Sequence, residues 1–341
     1  MTTKEKVKAL WKLCFDDTDA FVDMYFDLRY RNNINICIES GDEVLAALQA
    51  VPYPMTYCGK EIPTAYISGA CTHPDHRGRG IMRHLLGESF ARMQRDGILF
   101  STLVPAEPWL FDYYAGMGYA PVFGYTERKI DLPEFIPSKA ITVGQVTTFR
   151  HNVYEFLDRK MHERPCCLQH TADDFEVVLG DLRVSDGFLF VSRRGRVVDG
   201  VAIGYVKEGW IAIDELLADD KDAEYSLLHA IVQHTGCRHL VGRSLPAVGT
   251  APSHLLGMAR VIHVKEALQL YAAAFPDREL QIAVTDSQLA VNNGYYFVYK
   301  GRCMYSAERL PGTGTYHQMS IGELSGELFR QLSPYMSLMM D

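Results

Sequence analysis

The sequence predicts an α/β fold of the α+β kind, organised as two successive units with central sheets and a small α+β unit at the end. An apolar strand pattern at 64–72 leads through a glycine-rich turn into an amphipathic helix that ends near Asp96. The order helix, strand meander, helix, strand over 18–104 recurs over 146–241. After residue 276, short strand patterns precede one last helix.

Composition limits the classes of function. The chain has 341 residues, 48% hydrophobic and 22% charged, which is typical of a globular protein with two or three domains. Its net charge of −8 argues against a general nucleic-acid binder and is compatible with a cationic substrate. We expect no membrane span and no signal peptide, because no apolar run is long enough. Scattered cysteines without a C-x-x-C motif predict reduced thiols, a cytoplasmic location and no metal site.

The first unit, residues 1–131, alternates predicted helices and strands. Thr18 is placed to cap the second helix. In chain order the predicted elements are helices at 3–15 and 18–29, strands at 34–38, 43–53 and 64–72, a helix at 80–96, a strand at 98–104, a helix at 108–115 and a hairpin at 118–130.

Residues 131–145 contain two prolines and little periodicity, so they are predicted to link the first unit to a second one, residues 146–260. The second unit is predicted to have helices at 146–160, 171–182 and 222–235, and strands at 188–192, 197–206, 210–218 and 237–241. Its turn at 218–222 is acidic and lacks glycine. Because such a turn would repel a phosphate, we expect a degenerate copy without a cofactor, used for packing or for walling the substrate site.

The third unit, residues 261–341, is predicted to hold a helix from Val261 to Pro276, four short strands and a helix capped by Ser320 with Glu323. The strands are expected at 280–285, 295–300, 303–306 and 315–319. The last residues, 335–340, are apolar. Since disordered ends are usually polar, we expect this end to dock against folded protein.

The turn Arg77-Gly78-Arg79-Gly80 lies between the predicted strand and helix of the first unit. Glycines let main-chain N–H groups approach an anion, and a helix N-terminus adds partial positive charge. The two arginines supply charge-assisted hydrogen bonds. This combination predicts a phosphate site, although a glycine-arginine turn alone is often only a turn.

Residues 64–130 resemble the acetyl-CoA-binding part of the GNAT acetyltransferase family, whose motif R/Q-x-x-G-x-G/A follows a central strand. Here the motif reads Arg77-Gly78-Arg79-Gly80-Ile81-Met82, with Met82 in place of the last small residue. The sequence around it is similar to the enhanced-intracellular-survival branch. That branch consists of an active GNAT domain, a degenerate GNAT domain and a sterol-carrier-protein-like domain, so the resemblance covers nearly the whole chain and implies tandem GNAT folds with mixed central sheets.

The resemblance implies acetyl-CoA as co-substrate. The pantetheine amides would pair with main-chain groups of Ala70, Cys71 and Thr72, and one N–H there would stabilise the oxyanion. The pyrophosphate would rest on main-chain amides of the turn and the helix start. The residues expected to contact it are Arg77, Gly78, Arg79, Gly80, Ile81 and Met82.

In the family a tyrosine of a Y-x-x-x-G-F/Y segment protonates the departing CoA thiolate. Counting back from Gly118-Tyr119 assigns this role to Tyr114, with Tyr113 as the alternative and a core position as the other interpretation. In the resembled branch the terminal α-carboxylate is the base for the amine, which here implies Asp341. Plain docking of the chain end is the competing interpretation.

These expectations predict an N-acetyltransferase that moves an acetyl group to a primary amine of a small acceptor, by direct attack in a ternary complex. A non-catalytic acyl-CoA-binding or regulatory protein is the alternative. The resembled branch forms oligomers, so a homo-oligomer is also implied. The acceptor itself is not readable from the sequence, because loops and pocket shape select it.

Overall fold

The computed structural model of the chain describes residues 1–41, 43–132, 138–246, 252–309 and 314–340. The helices are α1 (Thr3–Cys14), α2 (Asp19–Leu28), α3 (Ile81–Arg95), α4 (Pro108–Ala115), α5 (His151–His162), α6 (Ala172–Val184), α7 (Lys221–Thr235), α8 (Val264–Ala274) and α9 (Ile321–Phe329). The strands are β1 (Asn35–Ser40), β2 (Glu43–Tyr57), β3 (Lys60–Thr72), β4 (Phe100–Leu103), β5 (Ala120–Ile130), β6 (Ile141–Gln145), β7 (Cys167–Leu168), β8 (Gly187–Arg194), β9 (Val197–Lys207), β10 (Trp210–Ala218), β11 (Leu240–Ser244), β12 (His254–Val261), β13 (Leu280–Thr285), β14 (Gly294–Tyr299), β15 (Arg302–Ser306) and β16 (His317–Ser320). The predicted fold class, α/β with mixed sheets, is confirmed.

One mixed sheet runs through both predicted units. Its strand order is β1-β2-β3-β4-β12-β5-β11-β10-β9-β8-β6, and β7 pairs with β2 beside this path. Strand β12, which follows the second unit in the chain, lies between β4 and β5, while β5 of the first unit pairs with β11 of the second. The two units therefore share strands at the centre of the sheet. The predicted domain boundaries stay predictions.

The third unit packs on one face of this sheet. Strands β13 to β16 form a separate sheet in the order β15-β14-β13-β16. Apolar side chains of α8 and α9 join residues of β13, β14 and the large sheet in a single core. Burial of this apolar surface holds the small sheet against the large one.

Local signals at helix starts are confirmed. Thr18 accepts a hydrogen bond from the Phe21 amide at the start of α2, and Ser320 and Glu323 form a capping box on α9. The acidic turn at 218–222 also has a structural role, because Asp220 caps α7. None of the helices in the described ranges is long and apolar enough to cross a membrane.

Three element predictions are wrong. Residues 118–130 form one long strand, β5, and no hairpin, because both edges of β5 are paired by strands from later in the chain. The predicted linker 131–145 contains β6, which pairs with β8; its residues 133–137 lie outside the described ranges. The helix predicted from Val261 begins at Val264, since Val261 ends the unpredicted strand β12.

The apolar chain end is docked, as predicted. Tyr335, Met336, Ser337 and Leu338 are buried, and Met339 and Met340 are half-buried. We call residues 332–340 the tail. Its contacts are with the large sheet and with residues beside β7, in addition to the third unit.

Candidate active site

Strands β3 and β4 are paired over a short distance only. Their parallel ladder runs from the Thr64–Phe100 pair to the Tyr66–Thr102 pair. Beyond Tyr66, β3 continues to Thr72 with no described strand paired on that side, and β4 ends one residue later, at Leu103. We call the gap between residues 67–72 of β3 and the end of β4 the first cleft. Its unpaired main-chain groups form an edge with which the amides of an extended ligand can pair.

A bulge shapes this edge. The register between β2 and β3 shifts between Ala47 and Gln49, so Gly69 and Ala70 together oppose one residue of β2. Gly69 has φ +60, and a Cβ on it would lie 2.1 Å from the ring of Trp11. Only glycine fits at this point. An isolated glycine inside a strand pattern is the usual sequence signal of such a bulge, and it was not used in the prediction above.

The glycine-arginine turn connects the first cleft to α3. Gly78 and Gly80 have φ +73 and +76, and Gly80 directly precedes Ile81, the first residue of the helix. A Cβ at either glycine would meet no atom within 4 Å, so the turn faces open space. No side chain caps α3 at Gly80. The amides of its first turn are therefore available to an anion.

Both arginines of the turn brace the loop and keep further donors exposed. Arg77 Nε donates to the Thr72 carbonyl at 3.1 Å, and Arg79 Nη2 donates to the Asp75 carbonyl at 2.9 Å. The Cys14 thiol also donates to the Thr72 carbonyl, at 3.4 Å. This carbonyl, at the end of the first cleft, is thus already an acceptor for two groups, while each guanidinium retains N–H groups that can face an anion.

Tyr114 lies near the end of α4 and is 7% exposed. Its ring contacts those of Tyr113 and Tyr119, with centroids at 5.3 and 5.8 Å. Burial, and to a lesser extent Tyr113 and Cys71, raise the pKa of Tyr114 to about 12. Its hydroxyl has no hydrogen-bond partner within the described part of the chain. A protonated donor with no committed acceptor is thus present at the core beside the large sheet.

The neighbouring tyrosines differ from Tyr114. Tyr119 is fully buried and its hydroxyl lies 2.7 Å from Ser101 Oγ, which commits it to the core. Tyr113 is half-buried, and burial raises its pKa. The structure therefore separates a core tyrosine from two candidates, and the choice of Tyr114 over Tyr113 stays a prediction.

The turn after α4 is fixed by a buried arginine that sequence reasoning missed. Arg260 Nη1 donates to the Met117 carbonyl at 2.8 Å, and a Cβ on Gly118 would lie 2.0 Å from the same nitrogen. Gly118, with φ +88, is therefore needed both for its conformation and for the space. A lone arginine within the apolar run 255–262 is the sequence signal that could have revealed this contact.

The tail reaches the wall of the first cleft. A Cβ on Gly257 of β12 would lie 3.1 Å from the sulfur of Met336 and 3.0 Å from the carbonyl of Leu103. Met336 therefore packs where β4 ends. Asp341, the predicted base, lies outside the described residues. In the described ranges no group of three or more His, Cys, Asp or Glu side chains could hold a metal ion.

Residues 2–122 match the family model described as "Acetyltransferase (GNAT) domain". This part of the chain is similar to GNAT domains. The match covers both walls of the first cleft, the glycine-arginine turn and α4, and it indicates an acyltransferase that uses an acyl-CoA as co-substrate. No curated protein matches the sequence.

Solved structures share the fold over nearly the full length. A GCN5-related N-acetyltransferase from Anabaena variabilis is 17% identical with a TM-score of 0.74, covering 97% of this chain and 96% of that one. A GCN5-related N-acetyltransferase from Kribbella flavida is also 17% identical, with a TM-score of 0.74 and coverage of 99% and 95%. Eis1 from Mycobacterium abscessus is 14% identical, with a TM-score of 0.70 and coverage of 96% and 88%. The chain thus shares its fold with these proteins over nearly its whole length.

Proposed function

We propose that the chain transfers an acetyl group from acetyl-CoA to a primary amine of a small acceptor, by direct attack of the amine on the thioester in a ternary complex. The observation that carries the proposal is the first cleft, an unpaired strand edge that leads directly into an uncapped helix start with two positive-φ glycines. The net charge of −8 favours a cationic acceptor.

In this proposal the pantetheine arm pairs with the β3 edge at Ala70, Cys71 and Thr72. The pyrophosphate binds the main-chain amides from Arg77 to Met82, with the exposed guanidinium groups of the turn. The order of these features along the chain supports the assignment, because the edge and the turn follow one another. The amides expected for the pyrophosphate have no capping side chain that competes with it.

Tyr114 is proposed to donate to the CoA sulfur as the thioester breaks. Its pKa of about 12 keeps the phenol protonated throughout the neutral range, so the donor is present when the thiolate forms. The same raised pKa makes complete transfer of the proton less favourable. We therefore assign Tyr114 a hydrogen bond that stabilises the developing thiolate, and the thiolate takes its proton from water after it has departed.

The amine must lose a proton before it attacks, because primary amines are largely protonated near pH 7. A carboxylate of Asp341 is proposed as the base. The docked tail supports this role, since Met336 already packs against the end of β4, the strand that forms one wall of the first cleft. The amine then attacks the carbonyl carbon, the tetrahedral oxyanion is stabilised by a main-chain N–H of β3, and CoA departs.

The second unit is proposed to be a degenerate GNAT-like copy that binds no cofactor. Asp220 stands at the start of α7, where its carboxylate accepts from the Ala223 amide at 2.9 Å and pairs with Arg194 at 2.6 Å. A negative side chain thus occupies the helix start that Gly80 leaves open in the first unit. A sterol-carrier-protein-like third unit, a cytoplasmic location and a homo-oligomer are proposed on the resemblance alone.

An acetyl-transfer screen tests the activity. Purified protein is incubated with acetyl-CoA and a panel of polyamines, aminoglycosides and peptides, and release of the CoA thiol is followed. We expect thiol release that depends on one class of amine. Binding of acetyl-CoA without turnover on any amine would instead support an acyl-CoA-binding or regulatory protein.

Tyr114→Phe tests the proton donor. Removing the hydroxyl should lower kcat by about a hundredfold, the typical effect of losing a general acid, while the Kd for acetyl-CoA stays near that of the native protein. Tyr113→Phe is the matched control on the same helix and should retain activity. An unchanged kcat in Tyr114→Phe, or a loss confined to Tyr113→Phe, rules out this assignment.

Deleting Met340 and Asp341 tests the base. We expect a large loss of kcat near pH 7 that is partly recovered at alkaline pH, where the amine is already deprotonated. Full activity of the shortened protein at pH 7 would exclude a role for Asp341.

A further inference from the structure

The second unit contains a second cleft that resembles the first. Strands β10 and β11 are parallel and paired over three residues only, from the Ile211–Leu240 pair to the Ile213–Gly242 pair, before they separate. Beyond that point the β9–β10 register shifts between Ile213 and Glu215, as the β2–β3 register does in the first unit. We call the gap between residues 214–218 of β10 and residues 243–245 the second cleft. A cavity of about 200 Å³ lies there.

The tail lies against the second cleft. Tyr335 lines the cavity, and its hydroxyl donates at 3.4 Å to the carbonyl of Asp214, the residue at the register shift. The tail is also held through its main chain. The Tyr335 amide donates to the Cys166 carbonyl at 2.9 Å, and the Leu168 amide donates to the Tyr335 carbonyl at 3.2 Å.

A buried ion pair between Arg164 and Glu215 holds the tail at Ser337. Arg164 donates to both oxygens of Glu215, at 2.9 and 2.8 Å, and its guanidinium lies 3.9 Å from the centre of the Tyr335 ring. The Ser337 hydroxyl donates to the same carboxylate. Glu215 is 2% exposed, so the Arg164 guanidinium and the Ser337 hydroxyl replace water around its carboxylate. The tail and the ion pair therefore stabilise each other.

One further contact sets the direction in which the tail leaves. Leu338 has φ +55, a conformation that L-residues with side chains rarely adopt. Its carbonyl accepts from His170 Nε2 at 3.3 Å, and this histidine is 4% exposed. An unfavourable backbone conformation persists only where its surroundings hold it, so the bend at Leu338 is imposed by the second unit.

We infer that the second cleft serves as the dock of the tail, and that Ser337 and Glu215 are positioning residues which aim the end of the chain at the first cleft. This inference rests on the proposed function for its catalytic consequence only. The dock itself follows from the contacts. The second cleft has an acidic turn where the first cleft has the glycine-arginine turn. Its separated strands hold a segment of the chain itself.

Ser337→Ala is the test, with Ser337→Thr as the variant that keeps the hydroxyl. Ser192→Ala is the matched control, because it removes another buried serine–carboxylate hydrogen bond of the second unit, to Asp199 at 2.6 Å, away from the tail. Two quantities are measured in the full-length protein: amide hydrogen exchange of peptides covering the tail, and kcat and KM for acetyl transfer.

We expect exchange in the tail to accelerate about tenfold in Ser337→Ala, and kcat to fall by a similar factor at unchanged KM for acetyl-CoA. Ser337→Thr and Ser192→Ala should match the native protein in both measurements. Unchanged exchange in Ser337→Ala overturns the dock. Faster exchange with unchanged kcat overturns the positioning role.

The proposed base, Asp341, and the proposed dock of the tail can be refuted independently of each other. If deletion of Met340 and Asp341 leaves kcat intact, the base is excluded, and exchange in Ser337→Ala alone then decides the dock. If the deletion abolishes activity while Ser337→Ala behaves as the native protein, the base stands and the dock is refuted.

Discussion

Replacing Arg260 by methionine should destabilise the protein strongly, because this residue joins three parts of the fold. Arg260 lies in β12 with no exposed surface, and its Nη2 donates to both oxygens of Asp286 at 2.8 Å. Its Nη1 donates to the Met117 carbonyl, and the guanidinium lies 4.4 Å from the ring centre of Phe90. Methionine fills a similar volume but leaves the Asp286 carboxylate buried without a counter-charge.

The size of the expected stability loss depends on the hydrogen bonds that Asp286 retains in the variant. Removing one partner of a buried ion pair costs about 3–5 kcal/mol of unfolding free energy. Asp286 keeps three other donors, the amides of Gln288 and Leu289 and the side chain of Asn292, at 2.9, 3.2 and 2.9 Å. We therefore expect a loss near the lower limit, about 3 kcal/mol. At roughly 2 °C per kcal/mol for a chain of this length, Tm should fall by about 6 °C.

Urea denaturation and thermal unfolding of Arg260→Met measure this loss. The double variant Arg260→Met with Asp286→Leu removes both charges and should recover much of it, since a buried pair can be replaced by apolar groups at little cost. The reasoning is refuted if Arg260→Met is as stable as the native protein. It is equally refuted if the double variant is less stable than Arg260→Met alone.

Three further predictions follow from single positions. Gly118→Ala places a Cβ 2.0 Å from Arg260 Nη1 at φ +88, so its Tm should fall at least as far as that of Arg260→Met in the same thermal assay. Gly80→Ala should raise the calorimetric Kd for CoA about fivefold, because strain of about 1 kcal/mol shifts the anion-binding amides. Gly97→Ala, at a matching φ of +73 near the other end of the helix, should leave Kd unchanged; equal effects would contradict the site. Tyr114 acts as an acid that must stay protonated, and its pKa is about 12, so kcat should show no decline as pH rises to 10, and a decline centred near pH 9 would exclude it.

Local features of the site could be predicted because they are encoded within a few residues. The glycine-arginine turn, the caps at Thr18 and Ser320 and the short helix that carries Tyr114 all lie where the sequence indicated. Each depends on a conformational preference of one residue or on a contact three or four positions away. The roles assigned to Tyr114 and to the turn stay predictions.

Features that depend on distant partners were missed. The pattern of 118–130 was interpreted as a hairpin, because a long strand with turn-forming residues looks the same until its neighbours are known. Strand β12 was not distinguished from the helix that follows it, since both are apolar and only two residues separate them. The role of Arg260 was missed, because its partner Asp286 lies 26 residues further along the chain.

By itself the sequence determined the fold class, the strand–turn–helix around Arg77–Gly80 and the burial of the tail, since hydrophobic period and turn chemistry are local properties. The tertiary structure decided which strands border the first cleft, where the tail is held and which tyrosines are buried. A hydrophobic pattern specifies that a face is buried, but not against what. Tyr335 and Asp214, or Arg260 and Met117, are more than a hundred residues apart, and only the folded chain brings them into contact.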